Sequence, residues 1–269
     1  MLPSPETVDQ LIRQVAKDEI LPRFRNLDRQ AVWEKNAGDV VTIADERAEA
    51  ALERGLAALL PGAQVVGEEG AEKDPDRLKA LRGTEPVWII DPVDGTQNFA
   101  DGKTCFAVIV ALAEGGETRA GWIHEPVSGA SVWAVSGQGA WEDGKRLHIR
   151  PPARLGAYRG SLNRRFRQRL QALANRDTHE IPAETLRYGC VGAEYADLAR
   201  GKLQFARYAG KLKPWDHAAG VLIHQEAGGF HALVENDRPY SPDRDLRNQA
   251  LLLAPEQGSW RELRDLFAT

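Results

Sequence analysis

Apolar positions set the first predictions. Val8, Leu11, Ile12, Val15, Ile20, Leu21 and Phe24 recur near the helical period behind a Ser4-Pro5 start signal, which predicts a helix at the beginning of the chain. A second helix is predicted over about 44 to 60, rich in Ala, Leu, Glu and Arg and stopped by Pro61-Gly62. Between them the polar stretch WEKNAGDVVTIAD, residues 33 to 45, predicts a loop or hairpin. QVVGEE (64 to 69) predicts a short strand, and the charged segment around Asp74-Pro75 a surface helix or loop. Trp88, Ile89 and Ile90 then open a buried strand.

From Cys105 to Ile149 the runs CFAVIVALA, TRAGWIHEP, GASVWAVS and KRLHI are separated by turn clusters, the pattern of an antiparallel meander. Pro151-Pro152 marks the expected boundary between an N-terminal α+β domain, residues 1–150, and a C-terminal α/β domain, residues 151–269. In the second half, helices near 164–175, 191–200, 215–227 and 256–268 are expected to alternate with strands near 157–161, 203–208 and 249–253.

Composition narrows the class without naming a chemistry. The 269 residues are 42% hydrophobic, enough for one large or two ordinary domains. The longest apolar runs are strand length rather than the roughly 20 residues that cross a bilayer, and no signal-peptide pattern opens the chain, so a cytoplasmic location with no membrane partner is expected. A net charge of −4 with interspersed signs argues against a nucleic-acid polymer as partner. Cys105 and Cys190 have no metal-ligand spacing and read as ordinary thiols. His217 and His224, seven apart on one predicted helix, lack a third ligand and read as structural.

The chemistry concentrates in carboxylates at the ends of elements. In WIIDPVDGTQNF (88 to 99) Asp91 and Asp94 stand at the mouth of a strand. Two such charges about 4 Å apart cost on the order of 4 kcal/mol at an effective dielectric of 20. They are therefore splayed into water, or one is protonated, or a divalent cation lies between them. Glu68 and Glu69 end the strand QVVGEE, and Asp216 in KPWDHAAG opens a helix. Taken singly, these acids also suit turns and helix starts. Together they could hold hard cations on oxygen ligands, and the turn at Gly95-Thr96 could offer free N–H groups to a phosphate. That combination suggests phosphoryl hydrolysis.

DPVDGTQNF (91 to 99) resembles the D-P-[IVL]-D-G-T-x-N-[FY] signature of the inositol monophosphatase family, and PWDHAAG (214 to 220) its second signature, W-D-x-A-[AG]-G. GEE (67 to 69) and DVVTIAD (39 to 45) resemble two further segments of that family. The resemblance implies a layered αβαβα sandwich of the sugar-phosphatase type and a Mg²⁺-dependent, Li⁺-sensitive phosphomonoesterase, commonly a homodimer. Carried over residue by residue, Glu68, Asp91 and the Val93 carbonyl would hold one Mg²⁺, and Asp91, Asp94 and Asp216 a second. A third ion would associate with Glu68. Asp45 and Thr96 would orient or activate the attacking water, with Glu69 nearby. Gly95 and Thr96 would bind phosphate, and Lys35 would match a lysine on an active-site loop.

The substrate side departs from the family pattern. The acid that contacts inositol hydroxyls is missing from FARYAGKLKPWD, where Arg207, Tyr208, Lys211 and Lys213 stand instead, and GCVG (189 to 192) replaces G-S-A-A. Gly189, Arg207 and Lys213 are accordingly candidate substrate contacts, either as readers of a more anionic metabolite or as a solvated edge. An inositol-1-phosphate-type phosphatase is expected. Histidinol phosphate, a 3′(2′),5′-bisphosphate nucleotide and fructose 1,6-bisphosphate are alternative substrates. A phosphoaspartyl mechanism at Asp91 would require D-x-D spacing, which Pro92 and Val93 break. A non-catalytic metal-binding regulatory module would be expected to lack one of these acids or the Asp45–Thr96 pair, and all are present.

Overall fold

A computed structural model describes residues 2–26, 32–36, 39–174 and 180–268. The first helix, α1 (Pro5–Val15), starts where the sequence places it: the Ser4 side chain accepts from Thr7 N–H, and Val8, Ile12 and Val15 are buried. It does not continue regularly to Phe24. A π turn (Ala16–Ile20) and a 3₁₀ turn (Leu21–Arg23) follow, because Pro22 has no N–H for the Asp18 carbonyl and its ring crowds it. The hairpin β1 (Val32–Asn36) and β2 (Asp39–Thr42) leads into α2 (Ile43–Leu59). Thr42 and Asp45 form a capping box at the start of α2.

Next, β3 (Gln64–Gly67) ends two residues earlier than predicted. Gly67 is an extended N-cap, and Glu68 and Glu69 open α3 (Glu68–Lys73) instead of ending the strand. A 3₁₀ segment (Pro75–Arg82) connects to β4 (Val87–Asp94), all eight residues of which are buried. After α4 (Thr96–Ala100) the meander runs β5 (Ala107–Glu114), β6 (Glu117–Glu125), β7 (Ala130–Val135), β8 (Gly139–Glu142) and β9 (Lys145–Leu147). The seven strands β3 to β9 pair in sequence order, β3 parallel to β4 and the rest antiparallel.

The later part of the chain supplies β10 (Arg159–Ser161), α5 (Arg164–Ala174), β11 (Glu184–Leu186), α6 (Val191–Ala199) and β12 (Phe205–Lys211). It continues through α7 (Pro214–Glu226), β13 (Phe230–Leu233), β14 (Arg247–Ala254) and α8 (Gln257–Ala268). Its five-stranded sheet has the order β11-β10-β12-β14-β13. The short strands β11 and β13 carry too few alternating positions to be predicted from the sequence. Among the described residues no helix is long and apolar enough to cross a membrane.

Strand alternation explains the layering. Along β4, Trp88 and Ile90 enter a core with α1 and α2, while Val87 and Ile89 enter a second core with α6 and α7. Along β12, Ala206 and Tyr208 face that same second core, whereas Phe205 joins α5 and α8 in a third. The result is helix, sheet, helix, sheet, helix, with α6 and α7 between the two sheets. A helix held on both sides needs small residues. An ideal Cβ on Gly121 of β6 would lie 2.7 Å from the Ala219 Cα of α7, and one on Gly220 would lie 2.2 Å from the Tyr195 ring of α6.

At Gly121 the obstacle is α7 backbone, which cannot rotate aside. Gly121→Ala is expected to destabilise the fold by about 1–3 kcal/mol, measured as a lowered urea midpoint with an unchanged slope. A midpoint equal to that of the parent protein would show that the sheet and α7 are not in this contact.

Candidate active site

Strand β4 brings the first two acids together by breaking its own register. Asp91 pairs with Ile109 and Asp94 with Ala107, so Pro92 and Val93 form a bulge where the ladder loses a donor. Asp91 Oδ1 accepts from the Val93 N–H at 3.1 Å, which fixes that carboxylate at the bulge. The sequence places Asp94 in a turn. In the structure it is the last residue of β4 and is buried, and its Oδ2 accepts from the Gly192 N–H at 2.6 Å and from the Cys190 thiol at 2.9 Å. Asp94 thereby ties the first sheet to the start of α6.

The remaining candidates arrive on helix N-termini. Glu68 and Glu69 are the first two residues of α3, Thr96 is the first of α4, and Asp216 lies in the first turn of α7. Gly95 makes the turn before α4 with φ +86°. An ideal Cβ there would stand 3.1 Å from the Cys190 Cβ and 3.2 Å from the carbonyls of Cys105 and Gly189, so both conformation and space require glycine. Asn98 holds this turn against the 188–189 loop, its Nδ2 donating to the carbonyls of Cys105 and Tyr188, each at 2.9 Å.

Burial drives the Asp91 carboxyl well above the ordinary carboxylate range, and the neighbouring charges of Glu68, Asp94, Asp216 and Asp45 push it further. Asp94 is raised by burial and held back by the Cys190 thiol, the N–H groups of Gly192 and Val191 and the charge of Arg187. Burial raises Asp45 to about 7 against its hydrogen bonds with Thr42 and Thr96. Its Oδ2 accepts from the Thr42 N–H (2.8 Å) and hydroxyl (2.6 Å), while Oδ1 stands 3.2 Å from Thr96 Oγ1. Thr96 Oγ1 also donates to the Val93 carbonyl at 2.9 Å.

Among the described residues no group of three or more His, Cys, Asp or Glu side chains is arranged so that it could hold a metal ion. Fit to a cation therefore rests on the donor chemistry. Helix N-termini contribute about 0.3–1 kcal/mol each toward a nearby anion. Like charges at contact cost several times that. An all-oxygen cluster around a carboxylate as buried as Asp91 suits a hard divalent ion, which would hold the acids ionised.

The substrate-side candidates divide. Gly189 lies against the Gly95 turn with φ +69°. The Lys213 Nζ reaches the rim of α3, 3.8 Å from Glu72 Oε1 and 4.4 Å from the Trp215 ring centroid. Arg207 is not brought to the carboxylates: alternation along β12 turns it to the α5 side, where its guanidinium stacks 3.9 Å from the Phe166 ring centroid. Lys35 lies on β1, and its side chain falls outside the described residues. His217 and His224 are buried and stay neutral, lowered to about 3 by burial. Cys190, Gly192 and Asn98 also belong to the site, although no local pattern marks them. Their contribution runs through contacts some 90 residues apart in the chain.

The inositol monophosphatase family model matches residues 5–268. The chain is 31% identical over 227 residues to an inositol-1-monophosphatase of Bacillus subtilis, covering 81% of this chain and 79% of the relative. It is 31% identical over 221 residues to a fructose-1,6-bisphosphatase/inositol-1-monophosphatase of Aquifex aeolicus, 78% of each chain. Its fold matches a Thermotoga maritima IMPase structure with a TM-score of 0.80 at 24% identity, covering 98% of this chain and 96% of that one.

The raised proton affinities fix a sign. In EDTA, the contribution of Asp45 to stability is complete below about pH 4 and is lost as pH rises through about 7. Asp91 and Asp94 act in the same direction. Asp91→Asn is therefore expected to raise the metal-free Tm. If Mg²⁺ binds these oxygens it would compete with protons for them, so it is expected to raise the Tm of the parent protein more at pH 8 than at pH 6 and to leave Asp91→Asn unshifted. Thermal melts with and without Mg²⁺ read all three effects, and a lower metal-free Tm for the variant would contradict the electrostatic account.

Proposed function

The chain belongs to the inositol monophosphatase family, whose members are phosphatases, and from that premise we propose that it is a Mg²⁺-dependent phosphomonoesterase acting on a small phosphorylated metabolite, with inositol 1-phosphate the leading substrate. The observation that carries this reading is the side-by-side placement of two devices. Asp91 feels the charges of Glu68, Asp94, Asp216 and Asp45, and Asp45 in turn is joined through the Thr96 hydroxyl to the Val93 carbonyl, two residues from Asp91. Glu68, Asp91, Asp94, Asp216 and the Val93 carbonyl would hold Mg²⁺, two or three ions per site. Bound there, Mg²⁺ supplies charge neutralisation for the phosphoryl oxygens and a lowered pKa for water.

The chain's own residues account for the proton and the orientation. Oδ2 of Asp45 is occupied by two Thr42 donors, so Oδ1, which has only the longer contact with Thr96, is the oxygen placed to take a proton from the attacking water. A proton affinity near neutral, set by burial, suits that task. The Thr96 hydroxyl gives its one proton to the Val93 carbonyl in the shorter of its two contacts, which leaves its oxygen to accept from the same water and align it. Glu69 is buried one residue beyond Glu68 and adds to the charge felt by Asp45. The N–H groups of Gly95 and Thr96, approachable because Gly95 has no side chain, would receive the phosphate, with Gly189 lining the same turn and Lys213 at the rim. Arg207 enters no step of this reading. Family membership also supports Li⁺ inhibition, a homodimer and a cytoplasmic location as parts of the proposal.

Phosphate release is expected from at least one of inositol 1-phosphate, histidinol phosphate, fructose 1,6-bisphosphate and 3′-phosphoadenosine 5′-phosphate with Mg²⁺. EDTA or Li⁺ should suppress it. A panel silent under every condition would defeat the enzymatic reading and favour a non-catalytic module.

Two substitutions at Asp94 separate its two tasks. Asp94→Ala strands the Gly192 N–H and the Cys190 thiol and should cost about 1–3 kcal/mol in stability. Asp94→Asn can keep an oxygen toward Gly192 and should fold, yet lose most of its turnover. Near-normal turnover of Asp94→Asn at saturating Mg²⁺ would remove Asp94 from the ligand set.

A further inference from the structure

Gly67 and Gly70 flank the acid pair that opens α3, and both leave room for the same side chain. An ideal Cβ on Gly67 would lie 2.3 Å from the Glu49 Cδ and 2.4 Å from its Oε2, and one on Gly70 would lie 3.2 Å from its Oε1. Glu49 is buried, at 5% exposure, and belongs to α2. Both of its carboxylate oxygens are used: Oε2 accepts from the Glu69 N–H at 2.8 Å and Oε1 from the Gly70 N–H at 2.7 Å. These are two of the first N–H groups of a helix, which have no acceptor within the helix itself, and the N-cap Gly67 has no side chain to meet them. The cap of α3 therefore comes from another helix.

We infer that Glu49 is a positioning residue for the metal-binding acids. It sits one turn beyond Asp45, so the face of α2 that presents the water-activating carboxylate also grips the helix start bearing Glu68 and Glu69. Two bonds from one rigid carboxylate fix both the position and the tilt of that helix start, which a single cap hydrogen bond would leave free to pivot. A six-residue helix has little else to hold it, since only Glu69 and Ala71 of α3 are buried. The side chains of Glu68 and Asp45 are thereby referred to one common support. The inference rests on the proposed function, in which Glu68 and Asp91 share a cation.

Glu49→Gln keeps the size of the side chain but has one acceptor oxygen and turns an NH₂ group toward the second N–H. Titration of metal-free protein with Mg²⁺ alone, by calorimetry, should show its Kd raised about tenfold or more. Glu49→Asp, which keeps the charge and can keep one of the two bonds, should fall between it and the parent protein. Glu53→Gln, which removes an acid one further turn along α2 that pairs with Arg77 instead, should leave the Kd unchanged. At saturating Mg²⁺, kcat of Glu49→Gln should recover to near the parent value, whereas a role confined to stability would lower the Tm and leave the Kd alone. Parent-like Mg²⁺ affinity in folded Glu49→Asp or Glu49→Gln overturns the inference. Failure of the parent protein itself to bind Mg²⁺ overturns the functional reading beneath it, and the two failures are distinguished by the parent titration.

Discussion

Four carboxylates, those of Glu68, Asp94, Asp216 and Asp45, act on a fifth, Asp91, that solvent barely reaches. Each would be more stable apart from the others and in water. Much of the local architecture can be understood as what keeps them together. Glu68, Asp216 and Asp45 lie in first turns of helices, where the peptide dipoles favour a negative charge, and Asp94 is held by the N–H of a fourth helix. These contributions are modest beside the repulsion they oppose. Oxygen-only donors, deep burial and like charge together describe a place that a divalent cation would balance, as the proposed function has it.

The sandwich supplies the rigidity that such an arrangement requires. Acids from β4 and from α2, α3 and α7 can meet only if the helices on either side of that sheet are fixed against it. Gly121 lets α7 close on the first sheet, Gly220 lets it close on the Tyr195 ring of α6, and that ring packs on Tyr208 of the second sheet. Asp94 belongs to both systems at once, as a candidate ligand on one oxygen and a support for α6 on the other. Stability and chemistry therefore share atoms here, and the local cost of crowding carboxylates falls on a core large enough to bear it.

The substrate side follows a different logic. Its candidates lie on a loop (Gly189), a helix start (Lys213) and a strand (Arg207), and on the strand one residue of alternation decides between two faces. Arg207 and Tyr208 are neighbours in the chain, yet Tyr208 packs beside His217 under α7 while Arg207 stacks on Phe166 across the sheet. A run of cations in sequence is thus not a patch in space. The pairing of Cys190 with Asp94 likewise comes from a position where the family pattern has a different residue, and its meaning emerges only from the contact.

The sequence alone determined the elements with strong local causes. The helical period placed α1, α2, α7 and α8, alternation and turn clusters placed the meander, and the spacing in DPVDGT placed two carboxylates and a glycine that must adopt φ +86°. Those features depend on residues within a few positions of one another, so they are written in the order of the chain. Other features were decided only by tertiary structure: Glu68 and Glu69 begin a helix that Glu49 holds, Asp94 caps another, and Arg207 faces away. Each depends on a partner 20 to 100 residues distant or on which face of a sheet a side chain enters. Such relations follow from how the layers pack, and local pattern carries no information about a partner that packing has yet to bring near.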